Sequence, residues 1–154
     1  MFRIAPATQP SEVEQVKALV LEYVEGLGLD LGFQDFEGEL REFPGEYAPP
    51  QGRLLLATSG EEPAGCIGLR PLEPGLCEMK RLYVRARYRG HGLGVQLARA
   101  VIAEAHALGY AAMRLDTLPS MQAAARMYRE LGFQPIAPYY FNPIEGALFF
   151  ELRL

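Results

Sequence analysis

The chain has 154 residues, 49% of them hydrophobic and 22% charged, with a net charge of −4 at pH 7. That length and composition lead us to expect one soluble globular domain spanning residues 1–154, with a sizeable core. The acidic balance speaks against nucleic acid as a partner, and the lack of an apolar run long enough to span a bilayer speaks against a membrane protein.

In chain order, "FRIAPAT" reads as a short first strand. "PSEVEQVKALVLEYVEGLG" follows with Val13, Val16, Val20 and Val24 at near-helical spacing, opened by Pro10 and Ser11 and closed by glycines. "FQDFEGELREF" reads as a second, shorter helix that breaks before Pro44. "GRLLLATS" and "EPAGCIGLRPL" are strands separated by the turn residues Ser59 to Glu62, and "EPG" turns the chain into a third strand, "LCEMKRLYV". The next helix runs from about Gly92 to Leu108, with Gly109 as its stop. "AAMRLDTL" is a strand, "SMQAAARMYRELGF" a helix stopped by Gly132, and "FQPIAPYY" and "GALFFELRL" are closing strands around "YFNPIEG". The strand–helix–strand passage from Cys77 to Thr117 implies two parallel neighbours joined by a right-handed crossover, and the hairpins before it imply antiparallel pairing. The expectation is an α/β fold with a mixed sheet and helices packed on its faces.

Cys66 and Cys77, with His91 and His106, make neither a disulfide framework nor a metal site, so no metal is expected. The N-terminus "MFRIAPATQPSEVEQ" has no signal-peptide core, and a reducing cytoplasm is the expected location. Charge is unevenly spread: the first 48 residues carry −7 and the rest +3. Two solvated faces of different sign account for that, as do separate sites for an anionic and a cationic ligand.

"RGHGLG", Arg89 to Gly94, stands between a strand and a helix. A helix N-terminus exposes unpaired N–H groups and the positive end of the helix dipole, and glycines let that backbone approach an anion. On these residues alone a phosphate cradle and an ordinary glycine-rich turn both stay open. No Gly-Lys-Ser/Thr follows, which excludes a Walker A loop, and the glycine spacing fits the dinucleotide fingerprint poorly.

Arg89-Gly90-His91-Gly92-Leu93-Gly94 matches the R/Q-x-x-G-x-G/A signature of the GNAT superfamily of N-acetyltransferases. "EMKRLYV" resembles that family's fourth strand, and "AAARMYRELGF" its A-x-x-x-Y-x-x-x-G-F segment. The two motifs lie about 35 residues apart in matching elements. The resemblance covers the whole chain and implies a mostly antiparallel sheet with a splayed parallel pair formed by strands four and five, helices on both faces. It implies acetyl-CoA as co-substrate, pyrophosphate on the backbone of Arg89, Gly90, His91, Gly92, Leu93 and Gly94, and pantetheine along Leu82, Tyr83 and Val84.

By the same resemblance Tyr128 occupies the place of a tyrosine that protonates the departing CoA sulfur; it also fits a core stripe with Ala124 and Leu131. Glu78 occupies the place of a general-base glutamate in some relatives; pairing with Lys80, Arg81 or Arg114 is the structural alternative. Met121 stands where many relatives carry a pantetheine-contacting asparagine. The acceptor is expected over the first two helices and the last hairpin. There Glu22, Glu25, Asp30, Asp35, Glu37 and Glu39 lie near Tyr139-Tyr140-Phe141-Asn142-Pro143, which suits a small amine. A protein N-terminus or lysine as acceptor, and a non-catalytic acyl-CoA sensor, are the alternatives; homodimers are common among such proteins.

Overall fold

A computed structural model of the chain describes residues 1–32 and 35–154. Its elements run β1 (Arg3–Pro6), α1 (Pro10–Leu27), α2 (Phe36–Glu42), β2 (Arg53–Ser59), β3 (Glu62–Glu73), β4 (Leu76–Val84), α3 (Leu93–Ala107), β5 (Ala112–Thr117), α4 (Gln122–Glu130), β6 (Gln134–Ile136) and β7 (Leu148–Arg153). The expected start of the second helix at Phe33 and Gln34 lies outside the described residues. Helix α1 has proline at its first position, takes the Glu12 carboxylate back onto the Gln9 N–H at 3.0 Å, and stops at Gly28 with φ +64°.

The seven strands form one sheet in the order β1-β2-β3-β4-β5-β7-β6. Only β4 and β5 pair in parallel; every other neighbour is antiparallel. This is the mixed sheet expected from the order of elements. Strand β6 is shorter than "FQPIAPYY" led us to expect: it ends at Ile136, and Tyr139 and Tyr140 leave the sheet. Pro138 has no N–H to give a ladder, so the chain turns away there.

Both faces of the sheet are buried, which is why β2 reads as a continuous apolar run. Leu55 and Ala57 face one core with Leu97, Val101, Tyr128, Phe133 and Phe150, while Leu54 and Leu56 face the other with Val16, Leu19, Val20 and Tyr47. The first core lies under α3 and α4, the second under α1. Among the described residues no helix is long and apolar enough to cross a membrane.

Cys66 and Cys77 are completely buried, and burial pushes both thiols up to about 12. Neither is expected to react with Ellman's reagent in the native protein at pH 8, and both are expected to react in denaturant. Rapid labelling of the native protein would show that this core opens locally.

Candidate active site

The site begins where β4 leaves the sheet. Pairing with β5 ends at Glu78 opposite Arg114, yet β4 continues to Val84 and β5 to Thr117. Against β3 the register steps from Gly68↔Lys80 to Cys66↔Tyr83, so Arg81 and Leu82 together oppose a single residue. Arg81 takes up the extra length in the left-handed region at φ +63°. Such a bulge bends and twists a strand, and here it carries the end of β4 away from β5. Side-chain alternation inverts across it. Cys77 and Met79 belong to the core under α3 and α4; beyond the bulge Leu82 and Val84 do so, and Tyr83 packs on the α1 side.

A non-glycine residue at positive φ persists only where its surroundings require it. The requirement comes from α2. Arg81 donates from Nε and Nη2 to Glu39 at 3.0 and 2.9 Å, and its guanidinium lies 5.2 Å from the Phe36 ring centroid.

The parted strands open into a cavity of about 630 Å³. At one end, a single turn of 3-10 helix (Ala86–Tyr88) leads to Gly90 and Gly92, with φ of +83° and +77°, and α3 begins at Leu93. Gly92, Leu93, Gly94 and Val95 all line the cavity, so the unpaired N–H groups of the helix start open onto it. A Cβ on Gly90 would meet nothing within 4 Å, so this glycine serves backbone conformation rather than packing. Arg89 folds back to donate from Nε to the Val84 carbonyl at 2.9 Å, fastening the loop to the end of β4. Of the residues that the sequence assigned to the donor, Leu82, Tyr83, Val84, Arg89, Gly90, Gly92, Leu93 and Gly94 line the cavity. His91 does not; it is exposed, its ring 6.5 Å from that of Phe2.

Tyr128 reaches the same cavity from α4. Its ring packs 5.7 Å from Phe133 and 6.3 Å from Phe150, and its hydroxyl makes no hydrogen bond among the described residues. Burial, followed by the fields of Tyr23 and Asp116, raises its phenol well above the ordinary tyrosine value.

Glu78 is elsewhere. It is 2% exposed, does not line the cavity, and accepts from Arg70 at 2.9 Å and from the Tyr139 hydroxyl at 2.6 Å. Register explains its partners: Arg70 faces Glu78, Glu78 faces Arg114, and Arg114 faces Glu151, which it meets at 2.8 Å. Charges thus alternate in sign along one row across β3, β4, β5 and β7.

In the next row Lys80 and Asp116 stand on either side of the gap, and both line the cavity. By alternation they share the α1 face with Glu78 and Arg114. Tyr140 donates to Asp116 through its hydroxyl, and Asn142 Nδ2 donates at 3.1 Å. Burial draws the Lys80 ammonium below the ordinary lysine range, against the pull of Glu78. Sequence reasoning passed over Asp116 as a site residue. Its signal was an acid between two buried residues, Leu115 and Thr117, at the C-terminal end of a strand in a parallel pair.

Among the acids expected near an acceptor, only Glu22 lines the cavity. Burial alone would raise its carboxyl, but bonds from Arg85 at 3.0 Å and the Tyr83 hydroxyl at 2.8 Å hold it below its ordinary value. Glu39 is taken up by Arg81. Tyr139 and Tyr140 turn inward against Phe149, at 5.3 and 5.6 Å, while Phe141 points out at 81% exposure.

Comparison with known proteins agrees with this geometry. The model of the acetyltransferase (GNAT) family matches residues 18–133. An uncharacterized N-acetyltransferase of Schizosaccharomyces pombe is 40% identical over 153 residues, covering 98% of this chain and 94% of the relative. A GNAT-family acetyltransferase from Staphylococcus aureus superposes with a TM-score of 0.80 at 21% identity, covering 99% of both chains. Another from Elizabethkingia anophelis, crystallised with acetyl-CoA bound, gives a TM-score of 0.67 at 22% identity over 99% of this chain and 98% of the other. The chain belongs to the GNAT family of N-acetyltransferases.

Proposed function

We propose that the protein, acting as one domain over residues 1–154, transfers an acetyl group from acetyl-CoA to the primary amine of a small amino compound by direct attack in a ternary complex. One observation carries this: a single cavity joins the start of α3 and the parted edge of β4 to Tyr128 and Asp116. A neighbour of the same fold holds acetyl-CoA.

In this reading the N–H groups between Arg89 and Gly94 hold the pyrophosphate, with His91 contributing main chain only. The backbone of Leu82, Tyr83 and Val84 pairs with the pantetheine arm in the place that β5 has vacated. Acetyl-CoA supplies the thioester. Asp116, oriented by Tyr140 and Asn142, takes the proton from the acceptor nitrogen as that nitrogen bonds to the thioester carbon. When the carbon–sulfur bond breaks, Tyr128 gives its proton to the sulfur. Glu78, bound by Arg70 and Tyr139, positions β4.

Thermal unfolding with acetyl-CoA, CoA, NAD and ATP side by side tests the donor. Acetyl-CoA at a hundredfold over its Kd should add about 2.7 kcal/mol. Amine-dependent release of CoA thiol tests the chemistry, and Asp116→Asn should lower kcat by about 10²-fold. Stabilisation by acetyl-CoA without turnover on any amine would leave a binding protein in place of an enzyme. Stabilisation by NAD or ATP alone would overturn the donor assignment.

A further inference from the structure

We infer that Tyr23 is a further catalytic residue, its hydroxyl donating to the thioester oxygen as that oxygen takes up negative charge. The inference rests on the acetyltransferase reading above and adds a residue to its machinery.

The placement of the hydroxyl carries it. Tyr23 starts from α1, which packs on one face of the sheet, and donates at 3.9 Å to Sδ of Met121, at the head of α4 on the other face. The contact therefore reaches from face to face at the end where β4 and β5 have parted. Thr117, the last residue of β5, donates to the same sulfur at 3.8 Å. All three residues line the cavity, as do Asp116 and Tyr128. After burial, the fields of Tyr23 and Asp116 act on the Tyr128 phenol. The hydroxyl thus lies among the base, the acid and the gap assigned to the pantetheine arm.

Among the described residues four tyrosines line this cavity, and three have other work. Tyr83 gives its hydroxyl to Glu22 at 2.8 Å, Tyr88 is bonded to Glu62, and Tyr128 is the acid of the reading above. Tyr23 rests on a thioether, a weak acceptor, so it exchanges partners at little cost. An oxygen gaining negative charge accepts far more strongly, and a donor aimed beforehand favours the transition state over the ground state. The Tyr23 ring is placed by Tyr83, 5.6 Å away and itself held by Glu22. Burial raises the Tyr23 phenol above its ordinary value, so it keeps its proton.

The phenol transfers no atom. As the amine nitrogen bonds to the thioester carbon, the carbonyl π pair moves onto oxygen and the hydrogen bond from Tyr23 strengthens. When the carbon–sulfur bond breaks, that pair re-forms the carbonyl, and the sulfur leaves with the bonding pair and takes its proton from Tyr128.

The test is single-turnover release of CoA thiol at pH 8 by the wild type and Tyr23→Phe, with hydroxylamine, leucine and spermidine as amines. The Kd values of acetyl-CoA and CoA are measured beside it. The expected result is a fall of about 10²-fold in rate, the usual worth of one oxyanion donor, with both Kd values within about twofold. In the dithioester analogue of acetyl-CoA, sulfur replaces the carbonyl oxygen and accepts poorly, so the gap between the two proteins should shrink to about threefold or less. A merely structural defect would lower both rates alike. An unchanged rate in Tyr23→Phe, or an equal gap with the dithioester, overturns the inference while the acetyltransferase reading stands. So does weaker binding of acetyl-CoA and CoA at an unchanged rate, which would assign the hydroxyl to the arm. If the wild type releases no CoA thiol with any of the three amines, both are overturned.

Discussion

Tyr128→Phe is expected to lower kcat by about 10²-fold or more, the usual worth of a positioned general acid, with little change in the Kd for acetyl-CoA. The substitution separates two roles of one side chain. The ring belongs to the core beside Phe133 and Phe150, and phenylalanine keeps those contacts. The hydroxyl makes no hydrogen bond among the described residues, so its removal leaves no stranded partner and stability should hold. Because burial raises this phenol, it stays protonated past the ordinary tyrosine value of about 10. A wild-type kcat that falls with an alkaline limb well below that pH would therefore report another group. Single-turnover release of CoA thiol is the measurement, and an unchanged rate in the phenylalanine variant removes Tyr128 as the acid.

Glu39→Ala is expected to destabilise the protein by about 3–5 kcal/mol, because it strands the buried Arg81 guanidinium. For a chain of this size that is a fall in Tm of roughly ten degrees. The pair's side chains are 4% and 10% exposed, so water cannot take over as it would at the surface. The loss reaches function through the bulge, since Glu39 holds Arg81 in its left-handed conformation and hence the departure of β4 from β5. Burial alone would raise the Glu39 carboxyl, but the Arg81 hydrogen bonds outweigh it and leave it below its ordinary value of 4.5. Its contribution is therefore complete above about that pH and drains away as pH falls through the folded value. Urea midpoints from pH 7 to pH 3 should show that decline in the wild type and a flatter profile in Glu39→Gln. A loss under about 1 kcal/mol at pH 7 in the alanine variant would mean that Arg81 finds another acceptor.

The parts of this molecule legible in the sequence were those set by local chemistry. Gly92 and Gly109 bracket α3 because each takes a positive φ where the helix begins and after it ends. The apolar run of β2 announced a strand buried on both faces. Leu82, Tyr83, Val84, Arg89, Gly90, Gly92, Leu93 and Gly94, the positions that the family resemblance implies for the donor, line the cavity, and Gly90 and Gly92 among them meet a backbone requirement. What stayed hidden depends on contacts between distant segments. The environment of Glu78 is made by Arg70 across one strand and by Tyr139, 61 residues away. The sequence reads the loop tyrosines as an acceptor surface because nothing local shows that their hydroxyls turn inward to Glu78 and Asp116. The acidic first third read as one patch, yet Glu22 and Glu39 are held by arginines of β4 and the residue after it.

The extra residue at Arg81 also constrains how this chain can change in length. Every side chain from Leu82 to Val84 owes its side of the sheet to that one insertion. Pairing Arg81 regularly in the ladder would turn Leu82 and Val84 toward α1 and send the Tyr83 hydroxyl, now on Glu22, into the apolar core. Deleting Arg81, by contrast, would leave those three on their present sides and remove the bulge that carries β4 from β5. Strand β4 can exchange residues, but losing the one at the bulge closes the open edge beside β5. Loops such as Ser59–Glu62 are free of that arithmetic, so natural or engineered changes in length belong there.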